Sequence, residues 1–383
     1  MAMQAKDPNS QPQIELVVDP VSVSASNHQQ SGILVLTKGV VWSVLARFHA
    51  GYFRISLSLC SQALLWKTLG EPTADPHEFR RVLGHFPLAA FISLWSLALF
   101  TLAILSLLYL LRCVLHFQMV KNEFFNNVCV NYLFAPWISW LLLLQSSPFF
   151  TPETKYYLVL WWVFVIPIVA LDVKIYGQWF TKGKRFLSSV ANPTSQLSVI
   201  GNLAGAWAAA RMEYKESALC MFSIGMAHYL VLFITLYQRL PGNDHLPVML
   251  RPVFFLFFAA PSLGSLAWDS ITGTFDNSSK MLFFLALFLF MSLVSRPTLF
   301  KKSMKKFNVV WWAYSFPLTV LAIASTKYAE EVKSGAAHLI MVVLSALSVL
   351  VSLALMVFTA LNTSMLFPSD DPVLSPSSSC SAV

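Results

Sequence analysis

The sequence predicts an all-α polytopic membrane protein: ten transmembrane helices in five helical hairpins with a quasi-fivefold arrangement, the odd-numbered helices lining a central pore. Three observations carry this. Of 383 residues, 56% are hydrophobic and 11% charged, against about a quarter charged in an ordinary soluble domain, and the mean hydropathy is +0.63. Apolar runs recur near the roughly 20 residues that an α-helix needs to cross hydrocarbon. Proline and small polar residues fall mainly in alternate runs, and the prolines follow one another at intervals of 57, 68 and 56 residues, as divergent hairpin repeats would place them.

Residues 1–40 are rich in Gln, Ser, Asn and Pro and are expected to form a disordered cytoplasmic tail. They show no n-region, h-region and cleavage site, so no removable signal peptide is expected. The membrane domain is expected over 41–365. Its first five spans run from Leu45 to Trp66, Leu88 to Leu111, Val128 to Gln145, Tyr157 to Leu171 and Pro193 to Ala210. The remaining five run from Ala218 to Leu236, Pro252 to Ile271, Met281 to Val294, Val309 to Thr326 and His338 to Leu361. A second disordered cytoplasmic tail is expected over 366–383.

Basic residues set the orientation. The loops after spans 2, 4, 6 and 8 carry 13 Lys/Arg against three acids, whereas the opposite loops carry nine against ten. Both termini are therefore expected in the cytoplasm. The net charge of +8 is then a membrane-face feature and calls for no nucleic-acid partner.

Even-numbered spans are uniformly greasy, as in Met281 to Met291, and suit lipid contact. Odd spans carry Pro136, Pro193, Pro261 and Pro317, read as helix breaks, and polar residues at helical spacing. Span 1 offers Arg54, Ser58 and Ser61; span 3, Ser139, Leu142 and Ser146; span 5, Ser195, Ser198 and Asn202. Span 7 offers Ser262 and Ser265, and span 9, Ser315 and Thr319. Five such faces turned inward form a hydroxyl-lined path. The same small residues also mark helix–helix packing.

Within the span that begins at Val309, Pro317 removes the amide that would bond the Ala313 carbonyl and disfavours αR geometry at Phe316. Broken backbone at membrane depth is tolerated where it packs on protein or lines a watery cavity, so Phe316 is expected to stand in that cavity. All 18 acidic residues fall in loops, tails or span ends on these boundaries, and Arg54 is the basic residue nearest a span centre. A path with a guanidinium and no carboxylate favours anions; a structural role for Arg54, bonding broken-helix carbonyls, is the competing reading. The five cysteines show neither CxxC pairing nor clustering with histidine, so no metal site or disulfide frame is expected. P-loop, GxSxG and HExxH patterns are absent, and neither enzymatic activity nor a cofactor is expected.

The segments Phe53 to Trp66 (FRISLSLCSQALLW), Asn131 to Trp137 (NYLFAPW), Lys174 to Trp179 (KIYGQW), Ala191 to Pro193 (ANP), His228 to Pro241 (HYLVLFITLYQRLP) and Trp311 to Pro317 (WWAYSFP) resemble the plant slow (S-type) anion channels. These are relatives of the guard-cell slow anion channel within the tellurite-resistance/dicarboxylate transporter family, and the likeness is to its short-tailed homologues. The resemblance implies a trimer, homomeric or mixed with other slow anion channel subunits, in which each subunit has its own pore. It implies that Phe316 is the gating phenylalanine, and that Leu142 stands where the guard-cell channel has a second phenylalanine facing the gate. His49 and Arg54 replace the proline and glycine usual in the family's first helix. The expected function is a slow-type channel passing chloride and nitrate across the plasma membrane. The alternatives are an electrically silent subunit that modulates a conducting relative, and a carrier of organic anions such as malate.

Overall fold

The computed structural model describes residues 42, 44–71, 88–181, 191–239, 248–301, 303–305 and 307–363. The chain divides into two units, 1–44 and 45–383. The first contributes only Trp42 and Val44 to the described residues, so the expected tails 1–40 and 366–383 lie outside them.

Among the described residues of this unit, ten helices have 13 or more residues: α1 (Phe53–Gly70), α2 (Leu88–Leu115), α3 (Phe134–Ser146), α4 (Lys155–Thr181), α5 (Gln196–Arg211), α6 (Lys215–Arg239), α7 (Leu256–Thr272), α8 (Asn277–Val294), α9 (Ser315–Val332) and α10 (Gly335–Leu361). Seven are long and apolar enough to cross a membrane. An eighth is added if Phe117–Phe125 and Cys129–Ser146, bent by 106°, count as one broken span. The remaining two, α1 and α5, carry polar side chains and are enclosed by protein over nearly their whole length.

Consecutive helices pair as hairpins, and the odd-numbered members form a closed ring in which α1 packs on α3, α3 on α5, α5 on α7, α7 on α9 and α9 back on α1. Each even helix lies in the groove between its own partner and the next odd helix: α2 also touches α3, α4 touches α5, α6 touches α7, α8 touches α9, and α10 closes the circle on α1. Burial follows the ring. In the most apolar window of Val309–Val332, 89% of residues are buried, against 11% in Leu88–Leu115. The even helices present Leu, Val, Ile and Phe outward, and surfaces of that kind suit hydrocarbon contact.

The repeat is visible in the backbone at the start of the odd helices. His49, Asn192 and Asn308 are each extended, with ψ of 167°, 165° and 166°. Each accepts a side-chain hydrogen bond from the amide two residues on, at 3.0 Å in all three. A 3-10 turn follows (Ala50–Tyr52, Pro193–Ser195, Val309–Tyr314), and the α-helix starts directly after it. Before α3, Asn126 accepts from Val128 and Cys129 in the same manner. Such caps satisfy amides that a helix start leaves without partners.

The prolines do not share this register and do not break the helices. Pro136 and Pro317 are each the third residue of their α-helix, and Pro193 opens a 3-10 turn. In a first turn the missing N–H has no intrahelical partner to lose. The change of helix type near Pro317 falls two residues earlier, between Tyr314 and Ser315. Pro261 lies inside α7, which continues through it. Tyr229 on α6 donates its hydroxyl to the Phe257 carbonyl at 3.4 Å, the carbonyl that an amide at position 261 would otherwise take.

Candidate functional site

Residues near the starts of all five odd helices line a small cavity of about 10 Å³, on the order of the room that one water molecule needs. Arg54 and Leu57 come from α1, Tyr132 from the turn before α3, Leu197 from α5, Leu256 from α7, and Trp312 and Phe316 from the turn into α9. Helix macrodipoles place partial positive charge at N-terminal ends. Five such ends meet here, and no Asp or Glu is among the lining residues.

Phe316 is the second residue of α9 and 1% exposed, with its ring in the cavity wall. Arg54 is the second residue of α1 and 5% exposed. Its Nε donates to the Gly51 carbonyl at 2.6 Å, and its guanidinium carbon stands 4.9 Å from the centre of the Tyr132 ring. Nη1 is buried and has no hydrogen-bond partner among the described residues. His49 and Gly51 hold this arrangement: a Cβ on Gly51 would lie 2.5 Å from His49 Cε1 and 2.9 Å from Arg54 Nη2. The competing reading of Arg54 is thus realised in part, since it bonds one carbonyl while Nη1 has no partner among the described residues.

Of the side chains expected along the path, Arg54 and Phe316 line the cavity and the others are placed elsewhere. Ser58 donates to Ser315 at 2.5 Å, and Ser315 in turn bonds Ser352 on α10. Thr319 bonds Ser348, and Gln62 donates to Thr319, Ser348 and Ser352. This cluster fills the seam between α1, α9 and α10. Ser139 bonds Ser56 across the α1–α3 contact, and Ser265 donates to the Ser279 carbonyl of α8. Ser61, Ser195 and Ser262 bond local backbone. Leu142 is fully buried in the core and is not among the residues that line the cavity. A hydroxyl without water takes the nearest acceptor, and between packed helices that is a neighbouring hydroxyl or the carbonyl one turn back.

Ser198 and Asn202 face the outer helix α4. Ser198 bonds the Tyr176 hydroxyl at 2.5 Å, and Asn202 donates to the Asp172 carboxylate at 2.6 Å. Asp172 corrects the sequence reading, which ended this span at Leu171 and placed Asp172 in the loop after it. It is buried, lies within the candidate span Lys155–Gly177, and its Oδ1 has no partner among the described residues. Tyr176 also stacks on His228 at 3.4 Å between ring centres. The unpartnered Asp172 Oδ1 and Asn202 Oδ1 are both acceptors, so Asp172→Asn supplies a missing donor. We expect it to leave thermal stability unchanged or raise it by about 1 kcal/mol, the size of one net hydrogen bond; a loss above that in a melting experiment on purified protein would contradict the assignment.

A closed ring of apolar-sheathed helices whose positive ends meet at a cation-bearing cavity defines a helical membrane channel for anions. The chain belongs to the SLAC1 family, described as voltage-dependent anion channel, which it matches over residues 47–360. It is 55% identical to S-type anion channel SLAH1 of Arabidopsis thaliana over 92% of this chain and 91% of that one. It is 52% identical to S-type anion channel SLAH4 of the same plant, over 94% and 95%. Against the guard cell S-type anion channel SLAC1, also of Arabidopsis thaliana, identity is 43% over 88% of this chain and 60% of the relative.

Proposed function

We propose that this protein is a slow-type anion channel of the plasma membrane that passes chloride and nitrate down their gradients, with Phe316 as its gate. The cavity carries the reading: Phe316 stands in its wall beside a buried guanidinium, at the convergence of five helix N-termini. In this reading all ten helices cross the bilayer and both termini are cytoplasmic, so the cavity lies toward the cytoplasmic side. Subunits assemble as homotrimers or as mixed trimers with other slow anion channel subunits, each with its own pore. The names of the Arabidopsis relatives, all S-type anion channels, support the ion class.

With apolar walls around one cation, the path sorts anions by size and by ease of dehydration. Voltage clamp of oocytes expressing the chain is expected to show anion-selective unitary steps carried by chloride and nitrate. Absence of current from protein verified at the cell surface would overturn the reading. Strictly saturable exchange without unitary steps would favour an organic-anion (malate) carrier instead.

Two points favour a second reading, that of a silent partner subunit. Arg54 is buried in the cavity that Phe316 also lines, and the resemblance implies that Leu142 stands where the guard-cell channel has a second phenylalanine facing the gate. Co-expression with a conducting relative, each pore separately blocked by mutation, distinguishes the two: a silent subunit alters the relative's gating and carries no current itself.

A further inference from the structure

The segment that carries Phe316 is held from outside the ring. Phe316 follows Ser315, the first α-helical residue after the 3-10 turn Val309–Tyr314, and a stretch of 3-10 helix inside a span often marks a hinge. The Ser315 hydroxyl is fixed from two sides. It accepts from Ser58 of α1 at 2.5 Å and shares a second hydrogen bond, also 2.5 Å, with Ser352 of α10. About one turn to either side, α10 makes further contacts of this kind: Thr319 bonds Ser348 at 2.9 Å, and Trp312 donates its indole N–H to Thr359 at 3.1 Å. Ser348, Ser352 and Thr359 are spaced to lie on one stripe of α10, which thus braces the chain from Trp312 to Thr319. The opposite stripe, with Leu350, Leu353 and Val357, is exposed, so the brace is an outer helix.

The seam can hold more than one arrangement. Gln62 of α1 has two N–H donors on Nε2, but four acceptors lie within 3.1 Å of it: Thr319 Oγ1, the Ser348 carbonyl, the Ser348 hydroxyl and the Ser352 hydroxyl. Any two of them satisfy the amide, so α10 can shift along the seam without stranding Gln62. The Ser315–Ser352 bond joins one hydroxyl to one hydroxyl, and such a shift breaks it. Packed elements with two discrete arrangements are what carry a displacement from one site to another.

We propose that Ser352 is a positioning residue: through Ser315 it holds the hinge before Phe316 in the closed arrangement, and displacement of α10 releases it. The proposal rests on the gate reading of Phe316 for its effect on current, so it is tested once with current and once without. In patches from oocytes, Ser352→Ala is expected to raise the ratio of open to closed time about fivefold, the shift that one net hydrogen bond supplies. Unitary conductance and the nitrate-to-chloride preference should not change, because Ser352 is not among the residues that line the cavity. Ser352→Thr keeps the hydroxyl and should restore the original ratio. In purified full-length protein, hydrogen–deuterium exchange across Trp311 to Thr319 should quicken in Ser352→Ala and stay slow in Ser352→Thr, with exchange in α5 unchanged. An unaltered open-to-closed ratio in Ser352→Ala would overturn the proposal, as would a Ser352→Thr variant that behaves like alanine or an altered unitary conductance. Faster exchange in a chain that passes no current would sink the channel reading alone, whereas a conducting chain whose exchange and open times ignore the substitution would sink only this inference.

Discussion

Phe316→Ala is expected to raise anion current in oocytes by about tenfold or more at matched surface expression, which corresponds to removing at least roughly 1.4 kcal/mol of barrier. The ring stands where the five inner segments converge, and it is 1% exposed. An ion passing a ring in that position must give up water that apolar walls cannot replace. Alanine removes the obstruction and leaves Arg54 and the helix ends in place. Truncating a buried Phe also costs about 3–5 kcal/mol of stability, so current has to be normalised to protein counted at the cell surface. Phe316→Leu, which keeps more of the volume, should fall between the two. Unchanged current together with unchanged selectivity would remove the gate assignment.

The hairpin order was legible because lipid and protein are different solvents for a helix face. The greasy run from Met281 to Met291 sits on an outer helix, and the runs with Ser262 and Ser315 sit in the ring. The cavity was legible only in part. Arg54 stood out because a guanidinium is rare in such a span. Phe316 stood out through Pro317 and the resemblance. The serine stripes marked inward faces without separating a seam from a path, because small polar residues look alike in both. Gln62, one helical turn after Ser58, is the hub of the α1–α9–α10 cluster. It signalled a seam, since its amide has enough donors and acceptors to tie several neighbours together. Ser348 and Ser352 on an outer helix were the matching half of that signal. Asp172 was missed because hydropathy alone ended the fourth span at Leu171, just before it, whereas the helix continues to Thr181 and buries the carboxylate against Asn202.

Glu123→Ala is expected to destabilise the protein by about 3–5 kcal/mol, the cost of leaving a buried ion-pair partner without its mate. Arg112 and Glu123 are 1% and 4% exposed, with Nη2 and Oε1 2.5 Å apart. Glu123 Oε2 also accepts from the Tyr109 hydroxyl at 3.3 Å and from the Ala50 amide at 3.5 Å. One carboxylate therefore joins the end of α2, the short helix Phe117–Phe125 and the turn that leads into α1. Removing Glu123 alone leaves Arg112 charged and buried, with Nε and Nη1 already lacking partners among the described residues. The double variant Arg112→Met/Glu123→Leu removes both charges and should recover much of the loss. Recovery stops short of complete because the Ala50 amide then lacks its acceptor, at about 1–3 kcal/mol. A double variant whose melting temperature falls by the sum of the two single losses would show that the charges act independently. Ala50 begins the tight turn that ends just before Phe53 and Arg54, so the ion pair is tied through that turn to the position of the guanidinium.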